Sequence, residues 1–127
     1  MSQEFKQSEV NQTYEFCCPH IKNFRTALDI GCDEFMFAGR LEKDFDIIHC
    51  WDFRDKSQQM SRYVKNLDKV HFHHTGLGET QDTRYTKPGV GRVKHTESVG
   101  NSTLPVPIVP LDSFGLFDGV DFIKMDV

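Results

Sequence analysis

The residues best placed to do chemistry in this chain sit just after short apolar runs. The first group is Asp29-Ile30-Gly31-Cys32-Asp33. A glycine there lets the backbone come close to a ligand, and a helix starting after it offers unpaired N–H groups. The second group ends in Asp52, 21 positions after Gly31. A carboxylate about 20 residues beyond such a turn can accept hydrogen bonds from both hydroxyls of a ribose. The pairing of glycine turn and acid points to a ligand that contains a nucleoside.

Elements must bring those groups together. Ala27–Gly31 reads as a buried strand running into a turn, and Ile47–Trp51, closed by Asp52, as a second. Between them Phe37, Ala38, Leu41 and Phe45 recur at helical intervals. Met60, Tyr63, Val64 and Leu67 predict another helix over 57–67. Val70–His74 alternates as a third strand, ended by Gly76-Leu77-Gly78, and Val120–Val127 supplies a fourth. Cys18–Phe24 is expected to be a short helix with Pro19 in its first turn. Residues 79–110 interrupt the rhythm as a long loop or irregular hairpin, and the prolines of Pro105–Pro110 suit an edge strand only. Leu111–Phe114 reads as a turn or short helix.

Strands alternating with helices imply right-handed crossovers and an α/β fold, a Rossmann-like doubly wound, mostly parallel sheet. Such a sheet binds its ligand outside the carboxyl ends of the strands, where Gly31 and Asp52 fall. Residues 1–25 are expected to be a polar, short-helical segment ahead of this domain, which spans 26–127.

With 127 residues the chain is one domain and can bury roughly two-thirds of its unfolded surface. It carries 15 Lys+Arg against 19 Asp+Glu, a net charge of -4, which disfavours a nucleic-acid backbone as partner. No apolar run reaches membrane-spanning length and the N-terminus lacks a signal-peptide pattern. Cys17, Cys18, Cys32 and Cys50 show no zinc spacing and read as reduced thiols, so a cytoplasmic location is expected.

The glycine turn also narrows the ligand. A dinucleotide would need further glycines to admit its pyrophosphate, and Phe35 stands where a second one belongs. S-adenosylmethionine carries no phosphate and asks less of the loop, which favours a methyl donor over a nicotinamide. Ala27-Leu28-Asp29-Ile30-Gly31-Cys32, His49-Cys50-Trp51-Asp52, Gly76-Leu77-Gly78, Val109–Phe114 and Asp121-Phe122-Ile123-Lys124-Met125-Asp126-Val127 together resemble the successive blocks of FkbM-type methyltransferases, from about residue 25 onward. The last block is the most specific. The resemblance implies a class I, S-adenosylmethionine-dependent enzyme acting on a hydroxyl of a sugar or natural-product-like acceptor. It implies cofactor contacts from Asp29, Gly31, Cys32, Asp52, Phe53, Thr75 and Gly76, and a reaction face at Lys124 and Asp126. The family pattern continues past Val127 with Glu-Gly and further strands, so the chain is expected to be truncated after the fourth core strand.

Each of these residues also has a plainer reading. Asp29 could hold a loop, Asp52 could cap a helix ahead of Ser57, and Lys124 and Asp126, two apart on one sheet face, could form a structural ion pair. As a catalytic pair, Asp126 would take the acceptor's proton and Lys124 would hold its charge, with His74 a weaker base. His71 and His73 share a strand face with no third ligand evident, so they read as edge-strand histidines rather than as a metal site. Cys32 and Cys50 read as small buried hydrophobes. Arg84, Lys87, Arg92 and Lys94 make the excursion locally basic. A non-catalytic Rossmann-like binding module and a nicotinamide-binding oxidoreductase half-domain are the competing readings.

Overall fold

The computed structural model of the chain describes residues 2–86, 104–115 and 119–126. It opens with α1 (Gln3–Cys17), capped by Ser2, whose hydroxyl accepts from Phe5 N–H at 3.2 Å. This 15-residue helix replaces the short helical segment expected there. Only Tyr14 is buried, and Phe5 and Phe16 face solvent among polar residues, so the apolar stripe that announces a helix is missing. Pro19 sits in a single 3-10 turn, Cys18–His20, which stops at the extended residue Ile21 rather than continuing to Phe24.

The strands are β1 (Thr26–Ile30), β2 (Ile47–Asp52), β3 (Val70–His74), β4 (Gly76–Leu77), β5 (Asp82–Thr86), β6 (Leu104–Val109) and β7 (Val120–Met125). The four expected core strands form one all-parallel sheet in the order β3-β2-β1-β7. Helices α2 (Met36–Leu41) and α3 (Met60–Tyr63) join α1 on one face of it. Tyr14, Ala27, Phe35, Leu41, Phe45, Ile48 and Cys50 form a continuous apolar layer there. Tyr14 thus ties the N-terminal segment into the same core, with its hydroxyl donating to Asp44 Oδ2 at 2.7 Å. Burial and that bond push the phenol well above its ordinary pKa. The other face is thinner, with Leu28, Ile30 and Trp51 under Leu77, Leu111 and Phe114. Among the described residues the helices therefore cover one face and not both. Leu111–Phe114 is a 3-10 turn, as expected.

Two expectations are corrected by specific contacts. The helix expected over 57–67 is only a 3-10 turn, Ser57–Gln59, followed by α3. Val64 is already extended, because the N–H groups of Lys65 and Asn66 go to the buried Glu42 carboxylate, at 2.9 and 3.2 Å, and not to helical carbonyls. The proline-bearing β6 is not an edge strand: it lies between β4, parallel, and β5, antiparallel, in a second three-stranded sheet. The carbonyls of Pro107 and Val109 face β4, taking Thr75 Oγ1 at 2.9 Å and Gly78 N–H at 3.1 Å. A strand residue's N–H and C=O point the same way, so the N–H that Pro107 lacks falls on that side. There β4 pairs only with Ile108 and Val109. Lys87, Arg92 and Lys94, and the tip of the excursion, lie outside the described residues. Among the described residues no helix is long and apolar enough to cross a membrane.

Candidate functional site

The turn after β1 is built by backbone necessity. Gly31 has φ +81, and a Cβ on it would run into the Asp126 carbonyl oxygen. No other residue lets β7 end against β1 there. The N–H groups of Gly31 and Cys32 both donate to Trp51 O, at 2.8 and 3.0 Å, and Asp126 N–H donates to Ile30 O at 2.9 Å. The turn then passes through two left-handed non-glycine residues, Asp33 (φ 48) and Phe35 (φ 68), a conformation that costs roughly 1–2 kcal/mol per residue. Phe35 stands at the position where a dinucleotide-binding turn would carry a second glycine, and its φ is one that glycine adopts freely. Its ring turns into the core, fully buried and edge-on to Phe72 at 5.2 Å.

Above the turn lies a cavity of about 700 Å³ at the carboxyl ends of the core strands. Six of the sequence-derived site residues line it: Gly31, Asp52, Phe53, Thr75, Gly76 and Asp126. Ile30, Trp51, Leu77 and Ile108 give it an apolar wall, and Arg54 and Arg84 bring positive charge. Phe35 is not part of the wall. The Trp51 indole N–H is buried without a partner among the described residues. A smaller cleft of about 410 Å³ lies toward α1, lined by Lys6, Glu9 and Thr13 with Cys32 and Lys124. Gly31, Asp33 and Asp126 line both, so the turn is the partition between them.

Asp52 is buried on the cavity wall, but its acceptor positions are taken. Oδ2 accepts from Asp33 N–H at 2.9 Å and from Arg54 Nη2 at 3.3 Å. Oδ1 accepts from Arg54 N–H at 2.9 Å and Arg54 Nε at 3.1 Å. Arg54 Nη2 also reaches Asp33 Oδ1 at 3.0 Å, which ties the turn after β2 to the turn after β1. Hydrogen bonding to Asp52 raises the Arg54 pKa. The capping alternative for Asp52 is not what the structure contains: Ser57 N–H is taken by Asp55 Oδ1 at 3.1 Å.

Asp29 and Lys124 are cross-strand partners in the β1–β7 ladder. Lys124 Nζ lies 3.0 Å from Asp29 Oδ1 and donates to Gly31 O at 2.9 Å. The plainer reading of Lys124 pairs it with Asp126, two residues on. Parallel register instead sets it opposite Asp29, and Asp126 stays exposed at the mouth of both cavities. Asp29 itself is fully buried and lines neither cavity, so its carboxylate organises the turn from below. Burial raises its pKa, opposed by Lys124. Cys32 and Cys50 are buried free thiols, as expected, and the hydrogen bond with Cys32 together with burial pushes the Cys50 thiol up.

His71 and His73 lie on the edge strand β3, as anticipated, but sequence reasoning missed their neighbour His49 on β2. His49 Nδ1 and His73 Nε2 are 3.0 Å apart and share a proton as donor and acceptor. The rings stack, with His49 5.1 Å from His71 and 5.3 Å from His73. Among the described residues no group of His, Cys, Asp or Glu has the geometry to hold a metal. Burial, then the neighbouring His73 and His71, lower the His49 pKa to about 4. His74, the weaker base candidate, points elsewhere, its Nε2 3.0 Å from Phe53 O. Arg54 and Trp51 line the cavity without having been assigned a role from the sequence, and Arg84 had been read only as part of a locally basic stretch. The signal for Arg54 was its place two residues after an acid at a strand end. Searches against protein-family models, curated proteins and solved structures give no match to this chain.

Proposed function

We propose that the chain binds S-adenosylmethionine in the larger cavity and methylates a hydroxyl oxygen of a sugar or natural-product-like acceptor, on a Rossmann-like, doubly wound scaffold of the FkbM-type methyltransferase class. The observation that carries this reading is convergence. Gly31, Asp52, Phe53, Thr75, Gly76 and Asp126 were picked out by spacing and resemblance over 96 positions, and they line one cavity.

The cavity suits the cofactor. Its volume of about 700 Å³ lies in the range of small-molecule sites, roughly 300–1,000 Å³. Its wall combines an apolar side, for a purine, with hydrogen-bonding groups at Asp52 and Thr75. The orphaned indole N–H of Trp51 is a donor in need of an acceptor. Bound there, S-adenosylmethionine would supply an electrophilic sulfonium methyl. Gly31 leaves room beside the turn, Asp52 accepts ribose hydroxyls in place of the Arg54 guanidinium, and Phe53, Thr75 and Gly76 border the base. Asp126 stands between the two clefts, where an acceptor in the smaller one would present its hydroxyl. Asp126 is the group we assign to take that proton. Lys124, held by Asp29 and the Gly31 carbonyl, fixes the turn and borders the cleft that the acceptor would occupy. The rest of the rate comes from alignment and exclusion of water.

The test is a two-dimensional NMR titration with S-adenosylhomocysteine up to millimolar concentration. Shifts are expected at Gly31, Phe53, Thr75 and Gly76, with Trp51 Nε1–H moving most among side-chain signals. A folded chain whose amide and indole signals all stay in place overturns the reading.

A further inference from the structure

We propose that Arg54 sets the affinity and ligand class of the cavity, because its guanidinium holds the two acceptor positions on Asp52 that a vicinal diol must take. The gate rests on the nucleoside reading of the cavity given above. It adds the ligand feature that must be recognised, a pair of neighbouring hydroxyls, and the residue that competes with it.

A carboxylate offers about four lone-pair directions. On Asp52 they meet two backbone N–H groups, of Asp33 and Arg54, and two guanidinium N–H groups. The backbone donors belong to the two turns and stay. The guanidinium donors belong to a side chain that is 37% exposed, whereas the Asp52 side chain is 2% exposed. Exchange is therefore one for one: two hydroxyls enter as two N–H groups leave, and the buried carboxylate never lacks a donor. A single hydroxyl cannot replace both, and half an exchange strands an acceptor in a buried place, which is costly. The displaced guanidinium has a resting place, since Nη2 already contacts Asp33 Oδ1 at 3.0 Å and the group lies 5.3 Å from the centre of the Phe53 ring. Both anchors border the same cavity. Arg54 thus swings aside and remains attached, and each binding event includes the breaking of its fork on Asp52.

The experiment compares adenosine, 2′-deoxyadenosine and S-adenosylhomocysteine by NMR titration on the native chain and on Arg54→Ala. Removing the fork is expected to tighten adenosine and S-adenosylhomocysteine about tenfold and to leave 2′-deoxyadenosine unchanged. Raised salt should tighten adenosine on the native chain and not on the variant. Should Arg54→Ala fail to fold, Arg54→Lys serves, because an ammonium cannot reproduce the planar fork and should show the same selective gain. A native chain that binds adenosine, with variants that bind it no better or gain equally for the deoxy compound, overturns the gate and leaves the nucleoside site standing. No binding of any of the three by folded native and variant chains overturns both.

Discussion

The two faces of the parallel sheet are made by the same strands, one residue out of phase, and they are built on different principles. Ala27, Ile48, Cys50 and Phe72 look toward α1, α2 and α3, where rings from Tyr14, Phe35, Phe37, Phe45 and Phe122 pack with them. Leu28, Ile30, His49, Trp51, His71 and His73 belong to the other face, where Leu28, Ile30 and Trp51 are buried beside a stack of imidazoles. The first face fixes the turn that carries Gly31 from beneath. The second, through Trp51 and Ile30, supplies a wall of the cavity. The period-two alternation of the strands thus sets a packed face against a thinner one, while Gly31, Asp52 and Asp126 reach the cavity from the strand ends.

Phe35 gives the largest expected effect. Truncating a fully buried Phe to Ala costs about 3–5 kcal/mol. At most sites glycine would be worse than alanine, but at φ 68 the order should reverse, with Phe35→Gly more stable than Phe35→Ala by about 1 kcal/mol. Chemical denaturation of both variants measures this. Phe114→Ala, on the thin face, should cost roughly a third as much as Phe35→Ala. Equal losses from the two faces would erase the contrast between them.

The next effect breaks the packed face at the buried pair of Asp29 and Lys124. Lys124→Met leaves Asp29 buried without its cation, a loss of about 3–5 kcal/mol when the partner of a buried pair is removed. The Asp29 pKa is already raised by burial, and loss of Lys124 raises it further. A carboxyl whose folded pKa is raised stabilises the protein below its unfolded pKa, and that contribution is lost as pH rises through the folded one. The gap in melting temperature between Lys124→Met and the native chain should therefore narrow on acidification. Asp29→Leu combined with Lys124→Met should recover most of the loss at neutral pH.

How much of this was legible in the sequence depends on how local the cause was. Strands β1, β2, β3 and β7 announced themselves as apolar or alternating runs bounded by turns, and Gly31 and Asp52 by their spacing. The element α1 did not, because a helix that buries only Tyr14 has no stripe to read. The early end of α3 depends on Glu42, more than 20 residues away, capturing the N–H groups that would have extended it. The central place of β6 turned on which side its prolines face. At the site, spacing located the carboxylates but not their partners. Lys124 went to Asp29 by cross-strand register and Arg54 folded back onto Asp52. Both are pairings in space that alternation along one strand leaves open.

The histidine stack gives the smallest and most specific contrast between the faces. His49 faces His71 and His73 from β3, with Trp51 beside it on its own strand, and no carboxylate is paired with it among the described residues. Burial and the neighbouring imidazoles hold its pKa at about 4, against an ordinary value of 6.5. The folded chain thus binds fewer protons than the unfolded chain between those two values, so stability rises with pH across the window and is lost as pH falls from about 6.5 toward 4. Part of the ring remains in contact with solvent, which limits the loss. His49→Phe keeps a ring in the stack and removes the titration. Its melting temperature should fall less than that of the native chain over that interval, whereas the two should change in parallel above pH 7. Parallel acid profiles for the two proteins would show that the pH sensitivity does not come from His49.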